Sequence, residues 1–265
     1  MDIVEIFKDA FVYPTKNMKT FAIIGILVVL GNFSDAFDYG LLNGGTFIVG
    51  IIFTILFIAI SLLILPGYFL SVIRRTVNDS NDLPSLSLVK NIIDSLKLLI
   101  MGIVYMIPIA IILLVSAFAL NIFGLINRVL FYVNNYGADY ANYMPDDLLI
   151  SFGTGILIMG IILLILGVLY SIIIFIAQSR LAKYDSLKSS FQIREIFNDI
   201  SKIGWGNYII WLVLLAIIVV IFAIIYATIS VLGVIFFIIA AFFINTYLQI
   251  FIARNTGLIY KKALE

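Results

Sequence analysis

Cysteine and histidine are both missing from this chain of 265 residues. The first absence excludes disulfides, thiolate nucleophiles and Cys metal sites, and the second removes the commonest general base and metal ligand at neutral pH. Charge is scarce as well: Asp, Glu, Lys and Arg make up 12% of the chain against 63% hydrophobic residues, and the mean hydropathy is +1.19. So little polar surface cannot clothe a soluble globule of this length, so the bilayer acts as solvent.

A hydrocarbon core about 30 Å thick requires about 20 apolar residues per helix, and lipid-exposed backbone must satisfy its own hydrogen bonds within helices or a closed barrel. Barrel strands alternate apolar and polar residues, whereas residues 51–65 and 156–176 are apolar almost throughout. The pattern predicts an all-α protein. Its apolar runs are residues 21–33, 46–65, 98–120, 148–177 and a charge-free stretch, 208–253, long enough for two spans. No Asp, Glu, Lys or Arg interrupts any of them, which argues against a charge relay through the membrane.

The few charges are segregated. Fifteen of the 16 Lys and Arg residues fall before the first span, between the second and third, between the fourth and fifth, or after the last; Arg128 alone lies elsewhere. By the positive-inside rule these four groups are cytoplasmic, as are both termini. Asp35, Asp38, Asp139, Asp146 and Asp147 make the opposite side acidic. The basic face suits anionic lipid headgroups rather than nucleic acid, at about 1 kcal/mol for each cation near the surface.

Three amphipathic stretches recur beside the spans. Ile3, Val4, Phe7, Ala10 and Phe11 form one apolar stripe; Leu88, Val89, Ile92, Ile93 and Leu96 a second; Ile193, Ile196, Phe197, Ile200 and Ile203 a third. Asp9, Asp94 and Asp199 belong to the polar faces. Such helices lie in the membrane interface, and Ser189 with Gln192 has capping-box spacing at the start of the third. Each stretch precedes a hairpin of two spans that ends in arginine: Arg74 and Arg75, Arg180, and Arg254. The reading is therefore six transmembrane helices with about three cytoplasmic interfacial helices, a single membrane domain over residues 1–265. A threefold internal repeat would divide it at 1–80, 81–187 and 188–265.

Several smaller features bear on function. Ser34 and Ala36 are spaced like a signal-cleavage site, but the amphipathic stretch ahead of them favours a retained first helix. Residues 121–147 read mostly as an outer loop, rich in Asn, Tyr and Asp, whereas the last two spans must turn tightly near residues 228–233. Pro108 should kink its helix. Asn245, Thr246 and Gln249 form an intramembrane polar cluster that either bridges helices or lines a site. Arg74, Arg75, Arg180 and Arg254 stand at inner ends of spans. There they snorkel and complement helix C-termini, or offer planar donor forks to lipid phosphate. The carboxylate pairs Asp35 with Asp38 and Asp146 with Asp147 lack the neighbours that catalysis or metal binding needs, and Gly153-Thr154-Gly155 lacks the lysine of a phosphate loop. No catalytic, cofactor or metal residues are assigned.

Gly67-Tyr68, Arg74-Arg75, Leu83-Pro84, Asp94-Ser95-Leu96-Lys97 and Tyr105-Met106-Ile107-Pro108 occur in an order that resembles the membrane family catalogued as domain of unknown function 4013. Tyr184, Phe191, Glu195-Ile196, Tyr208 and Gly257-Leu258-Ile259-Tyr260 continue the likeness, which spans about residues 61–260. Ser95 stands where the family pattern suggests glycine. The resemblance implies an archaeal or bacterial integral membrane protein and carries no catalytic residues. The expected function is a non-enzymatic membrane scaffold or lipid-interacting protein of the cytoplasmic membrane. Its expected partners are anionic headgroups and either another protein or a second copy. The alternative is a transporter or channel for an uncharged or lipid-like solute.

Overall fold

The computed structural model describes residues 2–32, 55–57 and 59–265, and every regular element among them is helical. Five helices are long and apolar enough to cross a bilayer: Ile55–Val77, Leu88–Ala119, Asp146–Tyr184, Trp205–Ser230 and Val234–Lys261. The first expected span is a shorter apolar helix, Met18–Gly31. Its 14 residues extend about 21 Å at the α-helical rise, less than a typical hydrocarbon core. Asp35, Asp38, the Ser34 and Ala36 spacing and the first part of the 46–65 run lie outside the described residues.

The helices are α1 (Ile3–Val12), α2 (Met18–Gly31), α3 (Leu65–Val77), α4 (Leu88–Ala119), α5 (Ile122–Tyr136) and a single turn, α6 (Tyr140–Tyr143). They continue as α7 (Asp146–Tyr184), the short α8 (Leu187–Ser190), α9 (Ile193–Ile203), α10 (Trp205–Ser230), α11 (Val234–Ala240) and α12 (Thr246–Lys261). Two π-helical turns, Ile60–Ile64 and Ala241–Asn245, lead into α3 and α12. The chain divides into two compact units, residues 1–101 with 172–265, and residues 102–171.

In the larger unit the amphipathic stretches are helical but not alike. Asp2 and Glu5 form the capping box of α1, a signal carried by the sequence D-x-x-E. Pro14 then breaks the helix into a 3-10 turn, and Asn17 caps α2 by accepting from the Thr20 N–H at 3.0 Å. The third stretch is also a separate helix, α9, closed by Gly204 at φ +91°. The second, in contrast, is no separate interfacial helix: it runs unbroken into its span as the first turns of α4. No glycine or proline separates the two parts, so nothing in the backbone interrupts the ladder. Pro108 lies within the same continuous helix. The expected capping box at Ser189 is also absent. The N-cap of α9 is Gln192, whose side chain makes no cap bond, and Ser189 belongs to α8.

Helices α3 and α12 pack face to face. A Cβ on Gly257 would come within 2.6 Å of Thr76 Cβ, so close approach requires glycine there. Gly67 is tighter still: a side chain would collide with the Asn91 carbonyl of α4. Its N–H donates to Ser95 Oγ at 2.7 Å, a bond that a glycine at position 95 could not accept. Phe11 and Phe251, with ring centroids 4.6 Å apart, join α1 to α12. The turn between α10 and α11 falls at Gly233, φ +125°, within the tight hairpin expected from sequence.

The smaller unit corrects the expectation of an outer loop. Residues 122–136 are helical because Leu125, Val129 and Tyr132 recur at helical spacing, and they pack with Met144, Leu148 and Phe152. Of the asparagines that suggested turn chemistry, Asn121 caps that helix, Asn127, Asn134 and Asn135 lie along it, and Asn142 falls in α6. Tyr136 and Tyr143 stack with centroids 4.2 Å apart. Pro145 precedes α7, whose first turn carries Asp146 and Asp147. Negative charge in a first turn lies at the positive end of the helix dipole, which favours carboxylates there.

Only 6% of the most apolar window of α4 and of α7 is buried, against 39% in Val234–Lys261. Bare aliphatic surface on that scale calls for lipid. Gly67→Ala should destabilise the protein by about 1–3 kcal/mol through overpacking. Gly102→Ala, with open space around it, should leave the midpoint unchanged or slightly raised. Thermal unfolding in detergent compares the two.

Candidate functional site

Three arginines form the charged framework of the larger unit, each gripping one aspartate of an amphipathic stretch. Arg74, in the last turn of α3, donates through Nη1 to Asp94 Oδ2 of α4 at 2.7 Å. Arg180 of α7 donates through Nη1 to Asp199 Oδ2 of α9 at 2.6 Å. Arg254 of α12 donates through Nε to Asp9 Oδ1 of α1 at 2.6 Å. The hairpin-end arginine thus holds the helix that follows it, and the last arginine returns to the first helix.

Each guanidinium is further satisfied. Arg180 donates to the Ser189 carbonyl and to Gln192 Oε1, so the two residues expected to form a capping box instead cradle an arginine. Arg254 lies 4.4 Å from the Tyr13 ring centroid and donates to Thr76 Oγ1, the Ser80 carbonyl and Asn81 Oδ1. Arg74 donates to the Ala182 carbonyl. Asp94 is fully buried and Asp199 nearly so, although the periodicity sets both on polar faces. A missed clue was spacing: Arg74 precedes Asp94 by 20 residues and Arg180 precedes Asp199 by 19.

Around this framework lies a more exposed ion cluster. Asp185 accepts from Lys90 at 2.8 Å and from Lys97 at 2.7 Å, with Arg74 at 3.4 Å. Burial works to raise its carboxyl, but the hydrogen bonds and charges of Lys90 and Lys97 outweigh it and hold the group at about 2. Asp185 therefore stays ionised throughout the physiological range. Burial pushes the Tyr13 hydroxyl up to about 12 against the opposing charges of Arg254 and Arg75, so it remains a neutral donor to the Asp82 carbonyl.

Of the four arginines singled out from sequence, only Arg75 is exposed; Arg180 and Arg254 are buried and Arg74 is half-buried. Three are held by carboxylates within the protein rather than left free for headgroups.

The polar cluster at Asn245 divides in two. Thr246 is buried and donates through Oγ1 to the Ala241 carbonyl, closing the π-helical turn. Asn245 and Gln249, by contrast, line a half-enclosed cavity of about 440 Å³. Gln249 Nε2 lies 3.4 Å from Asn245 Oδ1. Asn32, Ser61, Gln178 and Thr256 complete the polar lining, and Leu65, Phe69, Phe175 and Ile252 contribute apolar wall. Ser61 sits in the first π-helical turn and Asn245 at the end of the second. Such turns recur at functional sites because the widened backbone displaces side chains from the regular helical face. Sequence reading missed Asn32, Gln178 and Thr256, because they lie at or just beyond the ends of the apolar runs, among other polar residues.

Helices of this length and apolarity define an all-helical membrane-embedded protein. Residues 59–231 match the family described as Protein of unknown function (DUF4013), and the chain belongs to that family. The match agrees with the resemblance read from sequence, although Gly257 to Tyr260 lie beyond the matched residues. No match to this chain is found among curated proteins or among solved structures.

Removing one partner of a buried pair strands the other charge. Arg180→Gln should destabilise the protein by about 3–5 kcal/mol, whereas exposed Arg75→Gln should stay within about 0.5 kcal/mol of the parent. Chemical unfolding in detergent measures both.

Proposed function

We propose that the protein is a non-enzymatic, lipid-interacting scaffold of the cell membrane, with six spans and both termini cytoplasmic. The observation that carries this reading is the shared arginine–aspartate clamp. Its recurrence at three hairpin ends supports a threefold internal repeat, despite the fused second helix. By holding the amphipathic stretches to the span ends, the clamps give one face fixed structure.

The cations left over are suited to lipid phosphate. Lys8, Lys19, Arg75, Lys188, Arg194 and Lys202 are exposed and make no ion pair among the described residues. Helix α9 supports an interfacial position. Ile196, Ile200 and Ile203 are buried, Ile193 and Phe197 are exposed, and Phe197 stacks on exposed Trp205 at 5.9 Å. Arg194 and Lys202 occupy the remaining face, an arrangement matched to the headgroup boundary. Transport of an uncharged or lipid-like solute is the second reading, favoured by the cavity at Asn245 and Gln249. Proteoliposome uptake that Asn245→Leu abolishes would promote it over the first.

Replacing Arg75, Lys188, Arg194 and Lys202 by Gln should reduce retention of phosphatidylglycerol relative to phosphatidylcholine. Each lost cation should weaken it about fivefold at about 1 kcal/mol apiece. Native mass spectrometry from mixed nanodiscs reads the ratio, and an unchanged ratio would end the headgroup reading. Because the chain is free of cysteine, Lys188→Cys and Tyr140→Cys report orientation. An impermeant maleimide should label only the second in intact cells.

A further inference from the structure

We propose that the cavity lined by Asn32, Ser61, Gln178, Asn245, Gln249 and Thr256 binds an uncharged amphiphile, its hydroxyl or amide head among these side chains and its hydrocarbon chain in an adjoining apolar cavity. The inference stands apart from the headgroup reading, since none of the cations proposed for lipid phosphate lines this site.

The lining itself selects the ligand's charge. Among the described residues its six polar side chains are all neutral, and no described Asp, Glu, Lys or Arg borders the space. An ion entering it would lose hydration without meeting a counter-charge. The ionic residues nearby in sequence are already engaged: Arg254, next to the lining residue Ala253, is held by Asp9. A neutral ligand is the one class that this lining accepts.

The hydrogen-bond inventory then selects the head. Asn32 Nδ2 donates to the Val28 carbonyl at 2.7 Å and Ser61 Oγ to the Gly31 carbonyl at 2.6 Å, which removes two donors. Thr256 Oγ1 is buried and has no partner. Gln178 makes no hydrogen bond among the described residues, so its amide offers both a donor and an acceptor. Asn245 Nδ2 and Gln249 Oε1 add one of each. Mixed, convergent donors and acceptors match a group that both gives and receives, as hydroxyls and amides do. An ether or ester head would leave the acceptors unpaired.

The walls select the remainder. Leu65, Phe69, Phe175 and Ile252 would leave water alone with large apolar faces. A second cavity of about 200 Å³ shares Asn32 and Asn245 with the first, and its other walls are Phe222, Ala223, Tyr226, Ile244 and Leu248. Polar space therefore adjoins apolar space at two shared asparagines, which is the division within an amphiphile. The larger volume falls within the range of small-molecule sites, about 300–1,000 Å³.

Monooleoylglycerol is a suitable probe, with oleate and lysophosphatidylglycerol as charged counterparts of similar chain length. The full chain in a mild non-ionic detergent should bind one monooleoylglycerol saturably by native mass spectrometry, and neither anion should displace it at the same concentration, whatever it does at the exposed cations. Thr256→Val keeps the shape but removes an unpartnered buried hydroxyl. It should weaken binding about three- to tenfold while leaving the empty protein as stable or more so. Ala253→Phe fills the space and should abolish binding; should that variant fail to fold, the threonine variant and the anion comparison still decide. Equal binding by parent and Thr256→Val, displacement of monooleoylglycerol by oleate, or no saturable binding at all would each overturn the proposal, the last indicating a cavity that holds water only.

Discussion

A guanidinium withdrawn from water at the edge of an apolar helix bundle requires a carboxylate, because an unpaired charge there costs several kcal/mol. That requirement ties hairpin ends to amphipathic stretches in the larger unit. Arg180 and Asp199 are both nearly buried, so neither helix can leave without stranding an ion. Arg254 places the same condition on α1, strengthened by the Tyr13 ring and by Thr76, Ser80 and Asn81 from the neighbouring hairpin. The pairs do not make the protein more stable than apolar packing would. They make one docking arrangement far better than its neighbours, since a shifted register separates charge from counter-charge.

With the buried charges among the described residues confined to those junctions, the described polar groups that line the space among α2, α3, α7 and α12 are neutral. The π-helical turns contribute to that lining. Each inserts a residue into the helical ladder, and Ser61 and Asn245 in these turns both line the cavity. Thr246 stabilises the second turn by returning its hydroxyl to Ala241. The same chain thus uses polar residues in two ways: ionic ones where helices must lock, uncharged ones around the cavity.

Much of this organisation was legible in sequence because it follows from long-range composition. Membrane class, helical content and the tight turn at Gly233 come from apolar run length and charge placement, which tertiary packing does not alter. The misreadings were local. Residues 122–136 contain turn-forming asparagines, yet Leu125, Val129 and Tyr132 had a partner surface in Met144 and Leu148 that sequence could not supply. Ser189 and Gln192 had capping spacing, but a nearby guanidinium competed successfully for both. Asp94 and Asp199 lie on polar faces beside apolar stripes; the arginines from other helices make their burial tolerable. Periodicity describes one helix at a time, whereas these outcomes depend on pairs.

The clamp between Arg254 and Asp9 joins residues 245 positions apart. At ribosomal rates Asp9 waits roughly 10–50 s for its partner to be made. The clamps of Arg74 and Arg180 need only about one further helix of chain. Membrane insertion therefore proceeds with two junctions closing as they emerge and the third held open to the end. Throughout that interval α1 must stay at the membrane surface by its apolar face alone, and its departure or capture by another protein would leave the nascent bundle with a charged gap.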